Sequence, residues 1–154
     1  LIQEKSSNFS ITDAQQLSDS YDNGVYYTDS LMEELLQLLE SRGLLNNTII
    51  ILTSDHGEEL YEHKLFNHGS FYDTVIHVPL VIFHQNFDGQ LRVKELTQSV
   101  DIFPTVISLL NMTPPTTLQG EIVIPLGNKK AYHNEFVYAI HREICTSGLR
   151  NGNT

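Results

Sequence analysis

Cysteine is nearly absent from this sequence, and basic residues are scarce. Cys145 is the only cysteine among 154 residues, which excludes an internal disulfide and any cysteine-rich zinc site. Lysine and arginine number 9 against 19 acidic residues, so the formal net charge is −10. Nucleic acids and anionic membranes are bound through clustered basic side chains, and this charge balance therefore disfavours both as partners.

Long apolar runs are also absent. No run approaches the roughly 20 residues that a membrane-spanning helix requires. The opening stretch "LIQEKSSNFS" lacks the charged-then-apolar pattern of a signal peptide. A chain of 154 residues that is 40% hydrophobic can bury one core. We therefore expect one globular domain, residues 1–154, without a membrane span, in a compartment that the sequence leaves unknown.

Predicted helices and strands alternate along the chain. Apolar residues recur at three- and four-residue steps from Leu17 to Leu39, which predicts a long helix with one buried face, capped near Thr12 and ended by Gly43. The runs "NTIIILTSD" and "HVPLVIFH" predict two strands covered on both faces, as in a parallel sheet. This order of elements is typical of an α/β sandwich.

The second half of the chain continues this pattern with shorter elements. Asp101 is expected to cap a short helix that has Pro104 in its first turn. The stretches "EIVIPL" and "EFVYAIH" predict two further strands, and the tail "TSGLRNGNT" predicts a turn.

Asp55 and His56 follow the first predicted strand directly, and two interpretations of them stay open. In one, the stretch "SDHGE" turns into a helix, with Ser54 or Asp55 as its N-cap. In the other, the Asp55 carboxylate and the His56 imidazole bind one divalent metal ion beyond the end of the strand. These mixed donors suit zinc, manganese or calcium, and nearby carboxylates are needed to complete such a site: Glu58, Glu59, Glu62 and Asp73.

Three blocks of sequence resemble a known family. The blocks are "GVYYTDSLMEELLQLLESRGLLNNTIIILTSDHGEEL", "NHGSFYDTVIHVPLVIF" and "SVDIFPTVISLLNMTPPTTLQGEIVIPL", in this order over roughly Tyr21 to Leu126. Together they resemble the C-terminal portion of the catalytic domain of sulfatases, within the alkaline phosphatase superfamily. The resemblance implies a metal-dependent sulfuric ester hydrolase. Its implied fold is a partial alkaline-phosphatase-like α/β sandwich with a largely parallel sheet.

The resemblance also implies roles for particular residues. Asp55 and His56 would hold one divalent ion, calcium as the first choice and manganese or zinc as alternatives. His68 would be the catalytic residue beside the sulfate or phosphate group, where many relatives have lysine in a Gly-Lys-Gly turn. An imidazole there can stabilise charge on the non-bridging oxygens or protonate the leaving alkoxide. We expect His63 at the surface, within reach of a supporting hydrogen bond, and Tyr72 with Asp73 holding the loop.

The family's nucleophile motif, Cys/Ser-x-Pro-x-Arg, does not occur in this sequence. Cys145 lacks the proline and is expected to be structural. We therefore expect residues 1–154 to be the C-terminal part of a longer catalytic domain, inactive alone. Expected partners are a sulfate or phosphate ester of a small molecule or glycan, and the missing N-terminal part or a second copy. Two alternatives stay open: a phosphoryl-transfer relative (phosphodiesterase, phosphonate hydrolase or phosphoethanolamine transferase) and a non-catalytic truncated module.

Overall fold

A computed structural model of the chain describes residues 10–84, 87, 92–123, 136–141 and 146–151. The chain divides into two compact units, Leu1–Asp88 and Gly89–Thr154, and each is described by itself. The residues predicted to bind metal and substrate all lie in the first unit. Within the described residues, no helix combines the length and the apolar character needed to cross a membrane.

The first unit opens with a long helix, α1, over Ile11–Ser41. Its capping box is formed by Ser10 and Asp13: the Asp13 N–H donates to Ser10 Oγ at 3.2 Å, and the Ser10 N–H donates to the Asp13 carboxylate at 2.8 Å. The box therefore begins two residues before the predicted Thr12. The helix ends as predicted, since Gly43 follows with a φ of +66° that glycine adopts without strain.

The first unit continues with β1 (Ile50–Thr53), β2 (Glu59–Leu60), β3 (Phe66–Asn67), α2 (Asp73–Ile76) and β4 (Leu80–Phe83). The mixture of helices and strands agrees with the predicted α/β class. The predicted parallel sheet is wrong for β1 and β4, which pair antiparallel with Ile50 opposite Phe83 and Thr53 opposite Leu80. The predicted coverage of both strands on both faces is also wrong for this chain, because Val81 and Phe83 are 54% and 46% exposed. The connection between the strands lacks the long crossover helix that parallel pairing usually requires.

The connection between β1 and β4 folds back on itself. The strands β2 and β3 form a short antiparallel hairpin, with Glu59 opposite Asn67. The loop after β1 lies against α2, because the Gly57 N–H donates to the Val75 carbonyl at 2.7 Å and the Glu58 N–H donates to the Thr74 carbonyl at 3.0 Å. A Cβ at Gly57 would collide with that Thr74 carbonyl, so this approach requires glycine.

The second unit contains the short 3₁₀ turn Ser99–Asp101, α3 (Ile102–Leu109), and the antiparallel strands β5 (Phe136–His141) and β6 (Thr146–Asn151). The helix after Asp101 and the strand "EFVYAIH" are confirmed. The predicted terminal turn is wrong, because residues 146–151 form β6. Of the predicted strand "EIVIPL", residues 121–123 are not a strand, and residues 124–126 lie outside the described residues.

A buried carboxylate holds the second unit together locally. Asp101 is fully buried and accepts hydrogen bonds from the N–H groups of Gln98 at 2.9 Å and Glu121 at 2.8 Å. The Thr105 hydroxyl accepts from the Val123 N–H at 3.0 Å. The stretch "DIFPT" therefore ties the start of α3 to the chain that follows it, which is a structural role.

The hydrophobic core is small. Within the described residues, the buried apolar side chains are Val75, Pro104 and Leu109. The predicted burial of one face of α1 is wrong for this chain, because no residue of α1 is buried. The apolar stripe along the helix nevertheless exists, and it includes Leu31 and Leu35, which are 46% and 44% exposed. A stripe of this kind is typical of a helix that packs against other structure.

Candidate metal centre

Asp55 and His56 lie in the loop that leaves β1. No helix starts there, since residues 54–58 are irregular and Glu59 begins β2, so the interpretation of "SDHGE" as a helix N-terminus is wrong. The Asp55 carboxylate is 86% exposed and accepts a hydrogen bond from the His56 N–H at 3.0 Å. That bond, followed by one from its own N–H, holds the pKa of the Asp55 carboxyl below its ordinary value. Asp55 therefore presents an ionised carboxylate to solvent at neutral pH.

The His56 ring is oriented by its neighbours. Its Nδ1 lies 2.8 Å from the Gly57 carbonyl oxygen, a distance at which Nδ1 donates a hydrogen bond. The lone pair is then on Nε2, which lies 3.7 Å from Asp55 Oδ2. Metal-binding histidines commonly donate one ring N–H to a carbonyl and bind the ion through the other nitrogen. Asp55 and His56 thus offer one oxygen and one nitrogen to the same space.

The β2–β3 hairpin brings His68 back to this place. The His68 ring stacks on the His56 ring with centroids 3.9 Å apart and an interplanar angle of 24°. Its Nδ1 lies 3.3 Å from Glu58 Oε2. The three side chains of His56, Glu58 and His68 each offer one ligand atom, and these atoms lie within 4.8 Å of one another. A residue that is twelve positions from His56 in the printed sequence is therefore its direct neighbour in space.

These donors are chemically suited to a divalent ion, because carboxylate oxygens and imidazole nitrogens are common metal ligands. The ligand atoms that lie close together belong to His56, Glu58 and His68. Asp55 is not a member of this group, although its Oδ2 lies 3.7 Å from His56 Nε2. Of the other proposed carboxylates, Glu62 bonds the Leu60 N–H and Asp73 begins α2. Neither belongs to the group of close ligand atoms found among the described residues.

Glu59 is the important residue that sequence reasoning missed. The sequence places it only among the carboxylates near Asp55 and His56, yet its side chain is 1% exposed and receives hydrogen bonds from Ser70 Oγ at 2.9 Å and Thr74 Oγ1 at 2.7 Å. His63 Nδ1 lies 3.0 Å from its Oε2. Burial alone would raise the pKa of Glu59, but the hydrogen bonds from His63, Thr74 and Ser70 outweigh it and hold the pKa below its ordinary value.

His63 supports this arrangement from the edge of the loop. Its ring stacks on the Tyr72 ring with centroids 3.6 Å apart and an interplanar angle of 8°. Tyr72 therefore contacts the hairpin and also precedes α2, in agreement with the expectation that it holds the loop in place. Cys145 lies outside the described residues, so its predicted structural role stays a prediction.

The sequence of this chain matches a known protein family. The family model described as "Sulfatase" matches residues 2–112, which is most of the chain. The chain belongs to the sulfatase family. The match includes α1, β1, α3 and residues 54–76, which are called the loop cluster below.

Individual relatives agree with this assignment. Arylsulfatase K from Bos taurus is 36% identical over 108 residues, which is 70% of this sulfatase-family chain and 20% of that protein. Arylsulfatase K from Homo sapiens is 32% identical over 114 residues, which is 74% of this chain and 21% of that protein. The chain thus spans about a fifth of the length of these curated relatives.

A solved structure shows the same fold. BT4656 in complex with its substrate D-glucosamine-2-N,6-O-disulfate matches with a TM-score of 0.66 and 27% identity, over 83% of this chain and 28% of that chain. The sulfatase resemblance and the α/β class are therefore confirmed. The roles of Asp55, His56 and His68 stay predictions.

Proposed function

We propose that residues 1–154 are the C-terminal part of the catalytic domain of a sulfuric ester hydrolase. The observation that carries this proposal is the convergence of Asp55, His56 and His68 in one loop cluster inside the stretch that matches the sulfatase family. Ligand-binding groups of α/β proteins gather beyond the ends of strands, and these three residues follow β1 and β3.

Asp55 and His56 are the proposed ligands of one divalent ion, calcium first, with manganese or zinc as alternatives. The exposed, ionised Asp55 and the free Nε2 of His56 support this assignment. Glu58 belongs with His56 to the group of close ligand atoms, whereas Asp55 does not. When bound, the ion supplies positive charge that polarises the ester oxygens.

His68 is the proposed contact to the sulfate group. Its Nδ1 faces Glu58, which orients the ring and leaves Nε2 available for the substrate. A protonated Nε2 can donate a hydrogen bond to a non-bridging oxygen or transfer its proton to the departing alkoxide. Stacking on His56 keeps this imidazole beside the proposed metal ligands.

The nucleophile is proposed to belong to another part of the protein. The exposed apolar stripe of α1 supports this, since a helix with no buried residue leaves a large apolar face for the rest of the domain to cover. The proposed substrate is a sulfate ester of a small molecule or a glycan. Support comes from BT4656, whose substrate is a sulfated glucosamine.

The test measures sulfate release from an aryl sulfate and from D-glucosamine-2-N,6-O-disulfate by the complete protein that carries this chain, with an aryl phosphate in parallel. We expect sulfate release that is lost in Asp55→Ala and His56→Ala and kept in Glu40→Ala, a matched exposed carboxylate on α1. Calorimetry should show metal affinity falling in the first two variants, by at least about tenfold. The 154-residue chain alone should release no sulfate.

Three results would contradict parts of this proposal. Preferential phosphate release would favour a phosphoryl-transfer enzyme. A folded complete protein that binds metal but hydrolyses neither ester would favour a non-catalytic module. Unchanged metal affinity in both Asp55→Ala and His56→Ala would refute the ligand assignment.

A further inference from the structure

The buried carboxylate of Glu59 has no role in the proposed chemistry, yet both of its oxygens accept hydrogen bonds from other side chains of the loop cluster. Three different side chains bond its two oxygens: Ser70, Thr74 and His63. Burying a carboxylate is costly unless it is hydrogen-bonded, and apolar packing would hold a hairpin at lower cost. The presence of a buried carboxylate at this position therefore points to a specific role for it.

Glu59 holds the chain on both sides of His68. Before His68, the backbone of Asn67 lies opposite Glu59 in the β2–β3 pair. After His68, the Ser70 hydroxyl donates to Glu59 Oε1 at 2.9 Å. His68 is thus the centre of a short loop whose two ends are both attached to the same residue.

The same residue is linked to the loop that carries His56. Thr74 donates through its hydroxyl to Glu59 Oε1 at 2.7 Å, and its carbonyl accepts from the Glu58 N–H at 3.0 Å. The neighbouring Val75 carbonyl accepts from the Gly57 N–H at 2.7 Å, directly after His56. Glu59 and the start of α2 therefore connect the two histidine loops through a continuous set of short hydrogen bonds.

We propose that Glu59 is a positioning residue that sets the stacked contact between His56 and His68. It acts by fixing the two ends of the His68 loop against the backbone that carries His56, with His63 as the third donor. The significance of this contact for catalysis rests on the proposed function, whereas the contact itself can be measured without any substrate.

The test compares Glu59→Gln with Glu62→Gln in the complete protein. Glutamine keeps the shape of Glu59 but removes the charge and one acceptor oxygen. Glu62 is the matched control, an exposed carboxylate in the same hairpin that accepts only a local N–H bond from Leu60 among the contacts described. The readout is the nuclear Overhauser effect between the ring protons of His56 and His68, which are assigned with single His→Gln variants.

We expect a clear ring-to-ring signal in the unmodified protein and in Glu62→Gln, and a weakened or absent signal in Glu59→Gln. The value of kcat/KM for the sulfate ester should fall about 10- to 100-fold in Glu59→Gln, mainly through kcat, as for other residues that orient functional groups. An unchanged ring-to-ring signal in Glu59→Gln overturns the proposal, even if activity falls. The same holds if the unmodified protein lacks the signal.

A second variant keeps the test decisive if Glu59→Gln does not fold. Thr74→Val removes one hydroxyl donor while conserving side-chain shape and the charge of Glu59. Loss of the ring-to-ring signal in Thr74→Val then supports the proposal, and full retention overturns it. A protein that shows the signal and its loss in Glu59→Gln, but hydrolyses no sulfate ester, would refute the proposed function and leave the positioning role standing.

Discussion

The loop cluster of residues 54–76 and the helix α1 differ in how far their side chains are packed and hydrogen-bonded. In the loop cluster, short hydrogen bonds satisfy even a carboxylate that is 1% exposed, and two histidine rings stack at 3.9 Å. In α1, 31 residues form a regular helix of which none is buried. The cluster is held by its own contacts, whereas no residue of the helix is buried by the part of the chain that the structure describes. Local polar contacts therefore hold the candidate site in place although few apolar side chains are buried.

The largest expected effect concerns the apolar stripe of α1. Leu31→Ala and Leu35→Ala should change the free energy of unfolding of the 154-residue chain by no more than about 0.5 kcal/mol, because both side chains are substantially exposed. In the complete protein each should cost about 2–5 kcal/mol if the rest of the domain covers the stripe. Urea denaturation of both forms measures the difference. Equally small effects in both forms would show that nothing covers α1.

The next largest effect is the difference in unfolding free energy between a glycine-to-alanine change in the loop cluster and one in α1. Gly57→Ala should destabilise the chain by about 1–3 kcal/mol, because the new Cβ collides with the Thr74 carbonyl. Gly24→Ala in α1 should stabilise the chain by about 0.5–1 kcal/mol, because alanine favours the helix. The added Cβ would meet no atom within 4 Å outside the helix's own nearby backbone. Urea denaturation should therefore give opposite signs. The same sign for both variants would contradict the close approach of Gly57 to α2.

The smallest effect is the pH dependence of the α1 N-terminus. Hydrogen bonds from the Ser10 N–H and hydroxyl hold the pKa of Asp13 below its ordinary value. A lowered pKa in the folded state means that the stabilisation is present above the pKa of the unfolded state and is lost as the pH falls through the folded-state pKa. Circular dichroism should show slightly less helix at the lowest pH. Asp13→Asn should abolish this component, and an unchanged acid response in Asp13→Asn would contradict it.

The sequence predicted the parts of the fold that depend on local patterns. The end of α1 at Gly43 and the helix after Asp101 follow from capping and periodicity, and both are present. The sulfatase resemblance rested on three ordered blocks and is confirmed. The position of Asp55 and His56 beyond a strand end was also predictable, because an apolar run ends just ahead of them in the sequence.

The features that the sequence did not predict depend on contacts between distant residues. The direction of β4 relative to β1 is set by the connection, and that connection turns through residues with positive φ that are not glycine: Tyr61, Lys64 and Asn67. Without glycine at these positions, the usual signal for a tight turn is missing. The burial of Glu59 follows from this turn, since its donors Ser70 and Thr74 come 11 and 15 residues later.

The most direct test of the central claim measures sulfate release by the complete protein in three forms: unmodified, His68→Ala and His68→Lys. The account predicts that His68→Ala lowers kcat/KM by about 10²–10⁴-fold, the usual contribution of a positioned acid or charge-stabilising group. It also predicts that His68→Lys keeps more activity than His68→Ala, since many sulfatases have lysine at the corresponding place. A His68→Ala variant as active as the unmodified protein would contradict the assignment of this loop cluster as the active site.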